Sequence, residues 1–360
     1  MRIVQVIDSL EGGGAERMAV NYANALANDI DFSGIVVTRH EGILKNQLNQ
    51  QVEYLFLNRK WVFDLRAFLV FKDYCKNNDV AILHAHGTSF FSAFLLKLLY
   101  WKVKIIWHDH YGLSEFLSNR KSLVLKMLSS FFIGIISVNE QLKNWAIQEL
   151  HCKSVLYLPN FTNPQFNFEL ESPLFGQSGK RVICLANLRD QKNHFLLLDV
   201  AEKLKRTHPE WTFHLVGKDF EDAYSKSIND LVITKKLESH VFLYGTRNDT
   251  EAIINQADLA ILTSKSEGLP VSLLEYGLYG KPIVVTGVGE IPLIVQHEVN
   301  GFVVPSENRT IFYEALVQLI ESPELRVKFG KNLKHTILEN HSQDAIVGKY
   351  LEWLNRIKNV

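Results

Sequence analysis

Short runs of β-branched and apolar residues alternate along the whole chain with longer stretches whose apolar residues recur at helical spacing. In the first half the short runs predict strands at Ile3–Ile7, Gly34–Thr38, Val52–Leu57, Ala81–His84, Val103–Trp107, Ile133–Val138 and Val155–Leu158. In the second half they predict strands at Arg181–Ala186, Thr212–Val216, Val241–Tyr244, Leu259–Leu262, Ile283–Thr286 and Gly301–Val304. Helices are predicted at Ala15–Ala27 and Leu65–Lys76, and near 192–206, 222–236, 250–256, 270–280, 309–321 and 323–356, the last with a break near His341. Such alternation is typical of parallel sheets covered by helices on both faces.

The alternation is interrupted in the middle of the chain by a segment rich in residues that end helices and strands. These residues lie in Leu158–Pro164 and Ser172–Gly179. We therefore predict an α/β protein of two doubly wound, Rossmann-like domains. The predicted division is an N-terminal domain at 1–160, a linker at 161–178, a C-terminal domain at 179–340, and a C-terminal helix at 341–360 that could pack back on the N-terminal domain. Since ligands of such sheets bind beyond the carboxyl ends of the strands, we expect the site in a cleft between the two domains.

The composition narrows the classes of function. Among 360 residues, 39 Lys and Arg are balanced by 39 Asp and Glu, so the chain lacks the strong basic excess of a nucleic-acid-binding protein. Three widely spaced cysteines (Cys75, Cys152 and Cys184) form no CxxC pair, which disfavours a disulfide framework or a cysteine zinc site. No apolar run reaches the length of a membrane span, and the first run is too short for a signal peptide. We expect a cytoplasmic protein.

The segment Ser264–Pro282 carries two glutamates, Glu267 and Glu275, around the predicted start of a helix at Pro270. On one continuous helix this spacing would separate them by ~12 Å and ~80°, which does not suit a facing acid/base pair. With Glu267 in the loop and Glu275 inside the helix, the helix N-terminus between them forms an anion site. Glu275 could then bind a vicinal diol such as a ribose. On spacing alone, an acid near the helix N-cap and a surface glutamate remain as alternatives.

Six motifs occur in order along the chain. They are Gly12-Gly13-Gly14-Ala15-Glu16, His84-Ala85-His86, His108-Asp109-His110, Leu158-Pro159-Asn160, the Glu267-x7-Glu275 segment with its flanking Gly and Pro residues, and Asn300-Gly301. Together they resemble the retaining glycosyltransferases of family 4, and the resemblance covers nearly the whole chain. It implies the GT-B fold, in which two Rossmann-like domains face each other across a cleft.

The resemblance also implies roles for particular residues. Glu275 corresponds to the residue that binds the nucleotide ribose, Glu267 to one that contacts the donor sugar, and Lys192 to one that binds the diphosphate. Asn187 stands where the family keeps an arginine, and Arg189 either replaces that arginine or points to solvent. The remaining implied donor-binding residues are Gly268, Leu269, Pro270, Asn187, Gly13, Gly14, Tyr244, Gly245 and Gly289. A second departure is Leu293, which stands where the family often has a glutamate.

Four histidines are predicted near strand ends. The resemblance implies that His108 contacts the transferred sugar, and it places His86 and His110 on the acceptor side. A purely structural role is the alternative for each of them. Their spacing lacks the i, i+4 pattern of a zinc-binding helix. Asp29-Ile30-Asp31 has the form of the DxD metal–diphosphate motif of the other large glycosyltransferase fold, but it follows a helix rather than an apolar strand. Lys192 and a helix N-terminus can supply positive charge, so we expect no metal and no other cofactor.

The segment Phe90–Trp101 is apolar nearly all round and is followed by Lys102 and Lys104. Further on, basic residues (Arg120, Lys121 and Lys126) precede Phe131 and Phe132. In this family such features are similar to a surface that rests on the membrane. The N-terminal half also has a small excess of basic residues, which suits anionic lipid. A buried core helix at 90–101 is the alternative.

The resemblance implies a retaining, metal-independent hexosyltransferase. Its donor is a nucleotide diphosphate-sugar, with a UDP-sugar favoured and a GDP-sugar as the other choice. Its acceptor is the hydroxyl of a glycan or lipid-linked oligosaccharide in bacterial surface polysaccharide biosynthesis, with peripheral contact to the cytoplasmic face of the inner membrane and no nucleic-acid partner. A nucleotide-sugar epimerase of GT-B architecture and a non-catalytic nucleotide-sugar-binding protein are the alternatives, the latter because of Asn187 and Leu293.

Overall fold

A computed structural model describes residues 1–112, 117–118, 120–162 and 171–357. The chain divides into two compact units. The first unit contains Met1–Phe161 and Gln343–Val360, and the second contains Thr162–Ser342. Each unit has its own parallel sheet and its own apolar cores, so each is described by itself.

The first unit is built on a seven-stranded sheet in the order β3-β2-β1-β4-β5-β6-β7, and every neighbouring pair is parallel. Its strands are β1 (Arg2–Ser9), β2 (Phe32–His40), β3 (Glu53–Phe56), β4 (Ile82–His86), β5 (Lys104–Asp109), β6 (Phe132–Ser137) and β7 (Val155–Tyr157). Its helices are α1 (Gly14–Leu26), α2 (Leu65–Asn77), α3 (Phe90–Leu99), α4 (Leu123–Leu128), α5 (Glu140–Glu149) and α13 (Gln343–Ile357). Helices cover both faces, which is why the central strands are almost continuously apolar.

The C-terminal helix α13 packs on the first unit. Trp353 donates from Nε1 to the hydroxyl of Ser154 at 2.9 Å, and its ring fills the space beside Gly134, where a Cβ would lie 2.4 Å from the indole. Tyr350, fully buried, hydrogen-bonds His84 of β4. Burial of these two large side chains fixes the end of the chain against the sheet.

The second unit is built on a six-stranded sheet in the order β10-β9-β8-β11-β12-β13, again parallel throughout. Its strands are β8 (Arg181–Leu185), β9 (Thr212–Val216), β10 (Val241–Gly245), β11 (Leu259–Leu262), β12 (Ile283–Thr286) and β13 (Phe302–Val304). Its helices are α6 (His194–Thr207), α7 (Ala223–Thr234), α8 (Thr250–Gln256), α9 (Val271–Leu278), α10 (Ile291–Ile294), α11 (Arg309–Glu321) and α12 (Pro323–Asn340). The prediction of an α/β fold with two doubly wound sheets is confirmed.

Part of the predicted linker belongs structurally to the second unit. The backbone N–H of Ser172 donates to Asp249 at 2.7 Å, and Leu174 is buried in the apolar core around α8 and α9. Residues 171–178 are therefore held against the second unit rather than spanning between domains. Residues 163–170 of the predicted linker lie outside the described part of the chain.

The helices differ in whether the side chain of the N-cap residue accepts a hydrogen bond from the first turn. Several helices begin at a residue whose side chain accepts from the first turn, and these caps are Asp64 for α2, Asn139 for α5, Asp222 for α7, Asn308 for α11 and Ser322 for α12. The N-cap residues of α1 and α9, Gly13 and Pro270, accept no such hydrogen bond through a side chain, and the same holds for α3, α4, α6, α8 and α10.

Candidate active site

Lys192 and Glu267 form a close charged pair at the carboxyl edge of the second sheet. Lys192 ends a short 3-10 turn after β8, and Glu267 lies in the loop after the adjacent strand β11. Lys192 Nζ lies 2.5 Å from Glu267 Oε1, and the hydroxyl of Ser264 donates to the same oxygen at 2.6 Å. The side chains are 17% and 5% exposed, so solvent screens this pair less than a surface ion pair.

The loop that carries Glu267 is fixed by a close backbone approach. Gly289 has a φ of 56°, and a Cβ there would lie 2.1 Å from the carbonyl oxygen of Glu267. The N–H of the next residue, Glu290, donates to the carbonyl of Gly268 at 3.0 Å. Only glycine tolerates both the left-handed backbone and this contact. The predicted donor residues Gly268 and Gly289 thus lie beside Glu267.

Helix α9 begins next to the same loop. Pro270 is its N-cap rather than a residue of its first turn, because the helix begins one residue later than predicted, and Leu269 is buried in the core. The uncapped N–H groups and the positive end of the helix dipole suit an anion. Glu275, in the second turn of α9, is only 7% exposed. The alternative of a surface position for Glu275 is therefore wrong.

Asn187, where the family keeps an arginine, joins two strand ends. Its Oδ1 accepts from the N–H of Lys218 at 2.7 Å, which connects the residues that follow β8 and β9. Arg189 is exposed, and its guanidinium carbon lies 4.6 Å from the ring centre of Phe220. Arg189 thus stacks on an aromatic ring instead of joining the charged pair. Its contact with a diphosphate stays a prediction.

Tyr244 and Gly245 end strand β10. The hydroxyl of Tyr244 lies 2.9 Å from His214 Nδ1 and accepts from the N–H of Phe175 at 3.2 Å. Gly245 has a φ of 68°, and its carbonyl accepts from the N–H of Gly217 at 3.0 Å. This strand end is fixed by hydrogen bonds, and its predicted contact with the nucleotide base stays a prediction.

The predicted glycine loop of the first unit joins β1 to α1. Gly13 is the N-cap of α1, and Gly14 is the first residue of the helix. A Cβ on Gly13 would lie 2.3 Å from a carboxylate oxygen of Glu16. The glycine therefore lets an acidic side chain fold back over the start of the helix. Binding of the donor by Gly13 and Gly14 stays a prediction.

The four predicted histidines form one group in the first unit, two hydrogen-bonded pairs whose rings stack on each other, which we call the histidine network. His84 Nε2 lies 3.1 Å from His108 Nδ1, and His86 Nδ1 lies 3.0 Å from His110 Nε2. Strands β4 and β5 bring them together, with His86 directly beside His108 in the register. The network continues to α13, where the Tyr350 hydroxyl lies 3.1 Å from His84 Nδ1.

Burial keeps the histidine network neutral. It lowers the pKa values of His84, His86 and His108 well below the ordinary range, and neighbouring histidines lower them further. Burial also lowers the pKa of His110 to about 3. His108 Nε2 is buried and has no partner among the described residues. These rings can donate or accept hydrogen bonds near neutral pH, but they carry no positive charge there.

One cluster in the described part of the chain has ligand atoms close enough together to hold a metal ion. Ligand nitrogens of His84, His86 and His108 all lie within 4.8 Å of one another. Three imidazoles suit zinc, but the hydrogen bonds within the network engage nitrogens of the same rings. The predicted absence of a metal is not tested by this geometry and stays a prediction, as do the roles of His86 and His110 on the acceptor side.

Arg120, treated in the sequence as part of a basic surface, is a buried ion-pair partner. Its two terminal nitrogens donate to the two carboxylate oxygens of Asp109 at 2.7 and 2.8 Å. The guanidinium also lies over the rings of Tyr111 and Trp145, 4.4 and 4.2 Å from their centres. The assignment of Arg120 to a membrane-facing surface is therefore wrong, because a bidentate partner holds it inside the unit.

The first unit exposes a group of large apolar side chains, which we call the apolar face. Its members are Trp61, Phe63, Leu65, Leu98, Trp101, Leu123, Met127 and Phe131. Ring contacts join the segments that carry them, from Phe63 to Phe91 at 6.4 Å and from Phe94 to Phe131 at 5.0 Å. Helix α3 buries Ala93 and Leu96 yet exposes Leu98. One side of segment 90–101 therefore belongs to the core, and the other side is an exposed apolar surface.

Sequence reasoning missed several partners of the site residues. The contact of Ser264 could have been predicted, because a hydroxyl three residues before Glu267 in a tight loop can hydrogen-bond its carboxylate. Gln5 lies beside His84 in the register of β1 and β4, and its Oε1 is 2.8 Å from His86 Nε2. Tyr350 carried no local signal, since it is 266 residues away from His84.

Comparison with known proteins gives two family matches that together account for most of the chain. Residues 12–166 match Glycosyltransferase Family 4, and residues 166–336 match Glycosyl transferases group 1. The two parallel sheets and these matches define a glycosyltransferase of the GT-B fold. The chain belongs to the family 4-like members of that class.

Two curated relatives and one solved structure illustrate the likeness. A Staphylococcus aureus poly(ribitol-phosphate) alpha-N-acetylglucosaminyltransferase is 24% identical over 62% of this chain, a match that spans 44% of the relative's own length. An Escherichia coli UDP-Gal:alpha-D-GlcNAc-diphosphoundecaprenol alpha-1,3-galactosyltransferase is 23% identical, over 90% of this chain and 89% of its own. Anabaena Alr3699/HepE in complex with UDP-glucose has a similar fold, with 19% identity, a TM-score of 0.78 and coverage of 99% and 100%.

Proposed function

We propose that this glycosyltransferase takes its sugar from a UDP-sugar whose nucleotide binds to the second unit. The observation that carries the proposal is the charged pair of Lys192 and Glu267 beside the uncapped start of α9. The α9 N–H groups and Lys192 meet the diphosphate, and the carboxylate of Glu275 accepts hydrogen bonds from the ribose. The UDP-glucose in the similar Anabaena structure supports UDP over GDP as the nucleotide.

In the proposed reaction the acceptor hydroxyl oxygen bonds to the anomeric carbon while the bond from that carbon to the nucleoside diphosphate breaks, and the hydroxyl proton passes to the departing diphosphate oxygen. Negative charge grows on the leaving diphosphate, and a fixed cation with nearby N–H donors stabilises it. Lys192 supplies that charge, Arg189 adds a second, more exposed cation, and Glu267 and His108 position the sugar. A divalent ion is then not required. The anomeric configuration is retained, as the family resemblance implies.

The proposed acceptor is a lipid-linked glycan of surface polysaccharide biosynthesis, met at the cytoplasmic face of the membrane. The names of both curated relatives describe acceptors that contain phosphate, one of them linked to undecaprenol. The apolar face supports contact with lipid, because contiguous exposed apolar side chains mark interaction surfaces. Among the described helices, none combines the length and the apolar character that crossing a bilayer requires. Peripheral contact through the apolar face fits that finding.

The test is product analysis with a panel of UDP- and GDP-sugars and a short polyprenyl diphosphate-linked sugar as acceptor. We expect glycosylated acceptor from a UDP-sugar, an axial anomeric linkage by NMR from an axial donor, and unchanged turnover in EDTA. An inverted linkage would contradict retention, and loss of turnover in EDTA would contradict metal independence.

Two controls separate the alternative functions. Each donor is first incubated without acceptor and analysed by mass spectrometry and NMR, where an epimerase would yield an epimeric nucleotide-sugar. Binding of UDP is then measured by calorimetry. Nucleotide binding without turnover across the panel would favour a non-catalytic binding protein.

A further inference from the structure

A polar cavity of about 470 Å³ lies within the first unit. It is lined by Glu11, Arg39, His40, Glu41, Phe56, Asn58, Arg59, Lys60, Trp61 and Val62. These residues follow or end β1, β2 and β3, so the cavity lies at the carboxyl ends of three neighbouring parallel strands. That edge is where doubly wound sheets bind ligands, and the volume is that of a small-molecule site.

Arg59 is an unusual component of the cavity wall because its guanidinium is almost fully buried. The side chain is 2% exposed, and one terminal nitrogen donates to the carbonyl of Val62 at 3.1 Å. The other lies 3.8 Å from Asp8 Oδ1. Its Nε–H is buried and has no acceptor among the described residues. A buried donor without an acceptor destabilises the folded chain, and an anionic ligand that accepts from it removes that cost.

The two guanidinium groups of the cavity share their one salt-bridge partner among the described residues. Arg39 and Arg59 share the single carboxylate of Asp8, at 3.9 and 3.8 Å. That carboxylate also accepts from the hydroxyls of Thr38 and Thr88 at 2.5 and 2.7 Å. Burial and the nearby Arg39 lower the pKa of Arg59, and Asp8 and Asp64 offset only part of that effect. A bound anion would compensate both guanidinium groups.

Glu41, one of the two acids that line the cavity, is engaged by other residues. Glu41 is held by Lys45 at 2.8 Å and by the hydroxyl of Tyr54 at 2.6 Å, so its charge is already paired outside the arginines. Glu11 lines the cavity as the second acid, and Lys60 adds a third cation. Arginine is suited to phosphate because its planar fork offers two parallel N–H donors.

One wall of the cavity leads into the apolar face. Trp61 belongs to both, and Phe63 and Leu65 follow it at the start of α2. A ligand with a phosphate in the cavity can therefore place an attached hydrocarbon chain on Trp61 and the side chains beyond it. This continuity favours a lipid-linked phosphate over a free one.

We propose that this cavity is an acceptor subsite, in which Arg59 and Arg39 bind the phosphate of a lipid-linked acceptor whose hydrocarbon chain lies on the apolar face. The subsite rests on the proposed transferase function and names the chemistry of its second substrate. Phosphate binding there orients the acceptor, and the lipid contact adds affinity.

The first experiment titrates inorganic pyrophosphate into the full chain saturated with UDP, so that the nucleotide site is filled. We expect binding that weakens at least tenfold in Arg39→Gln and in Arg59→Met. Arg66→Gln, an exposed arginine of α2 outside the cavity, is the matched control and should bind like the parent. Arg39 is half-exposed, so its variant is expected to fold even where Arg59→Met does not. Absence of binding, or equal affinity in all variants, overturns the subsite.

The second experiment compares a detergent-solubilised polyprenyl diphosphate with pyrophosphate. We expect the lipid form to bind at least tenfold more tightly and to lose affinity in Arg39→Gln. Equal affinity for the two ligands overturns the lipid assignment. In each variant the affinity for UDP is measured in parallel, and we expect it to be unchanged. If the parent chain fails to bind UDP, the proposed transferase function fails, whereas pyrophosphate binding still reports on the cavity.

Discussion

The two units have similar parallel sheets yet carry different chemistry at the carboxyl ends of their inner strands. In the strand orders, β1, β4 and β5 of the first unit correspond to β8, β11 and β12 of the second. The neutral histidine network lies at the ends of β4 and β5. The charged pair lies one strand to the side of the corresponding position, beyond β8 and β11.

This difference shows that a similar fold does not determine the charge of the side chains at its site. Parallel topology determines where functional side chains gather, because the carboxyl ends of all strands lie along one edge. Solvent access then decides which charges can exist there. The histidines are buried among one another and lose their protons, whereas Lys192 keeps a carboxylate partner and some exposure. Of these two groups of side chains, only the second contains a cation, Lys192.

The largest expected effect follows from removing that charge. Lys192→Met should lower kcat by about 100-fold or more, because one fixed donor to a developing anion is worth about 10²–10³ in rate. Lys265→Met is the matched control, since Lys265 pairs with Asp190 at the surface. Steady-state kinetics with saturating donor measure both. A kcat within twofold of the parent for Lys192→Met would show that the charge of Lys192 does not contribute to the chemical step.

The next effect concerns nucleotide affinity. Glu275→Gln keeps the shape of a nearly buried side chain but loses its charge, so the Kd for UDP should rise about 10- to 100-fold, as expected when charged hydrogen bonds are lost. Glu267→Gln should leave that Kd within about threefold while lowering kcat, since its proposed contact is with the sugar. Calorimetric titration with UDP distinguishes the two variants. Equal Kd values for both would contradict the assignment of Glu275 to the ribose.

The histidine edge should show itself in stability rather than in rate. Its folded pKa values lie below the unfolded value near 6.5, so the unfolded chain binds more protons in acid. Stability is therefore full above about pH 7 and falls as pH decreases from about 6.5, towards the lowered folded pKa, which for His110 is about 3. Each such histidine adds a slope of up to about 1.4 kcal/mol per pH unit.

Urea unfolding between pH 7 and pH 4, followed by tryptophan fluorescence, measures that slope. His110→Gln offers an amide in place of the ring nitrogen and cannot titrate, so its slope should be smaller than that of the parent. His151→Gln, at an exposed position of the same unit, is the control and should leave the slope unchanged. A slope in His110→Gln equal to that of the parent would show that His110 binds a proton equally well in the folded and the unfolded chain.

The fold could be predicted from the sequence because its signals are local. All thirteen predicted strands are present in the structure, since each is a short apolar run between turn residues. The break near His341 was also visible, and α12 and α13 lie on either side of it. The linker was placed less well. Ser172 and Leu174 stand in a segment of turn residues, yet contacts with Asp249 and the core hold them to the second unit.

The site residues that could be predicted from the sequence are those that lie in contiguous motifs. Glu267 was found because its motif is contiguous, and the motif also contained Ser264. The bidentate pair of Arg120 and Asp109 and the cavity around Arg59 depend on side-chain direction and on contacts between elements, which periodicity does not report. Arg120 looked like a surface cation for that reason.

The smallest expected effect tests whether membrane contact belongs to the first unit alone. Trp101, 78% exposed on the apolar face, can enter the interface of a bilayer, where an aromatic ring is favoured. Trp101→Glu should reduce binding to vesicles of equal parts phosphatidylglycerol and phosphatidylcholine by about tenfold, from lost apolar burial and added repulsion. Val327→Glu makes the same change at a 72% exposed position of the second unit and should bind like the parent. Cosedimentation measures both, and equal losses would mean that vesicle binding reflects overall charge rather than the apolar face.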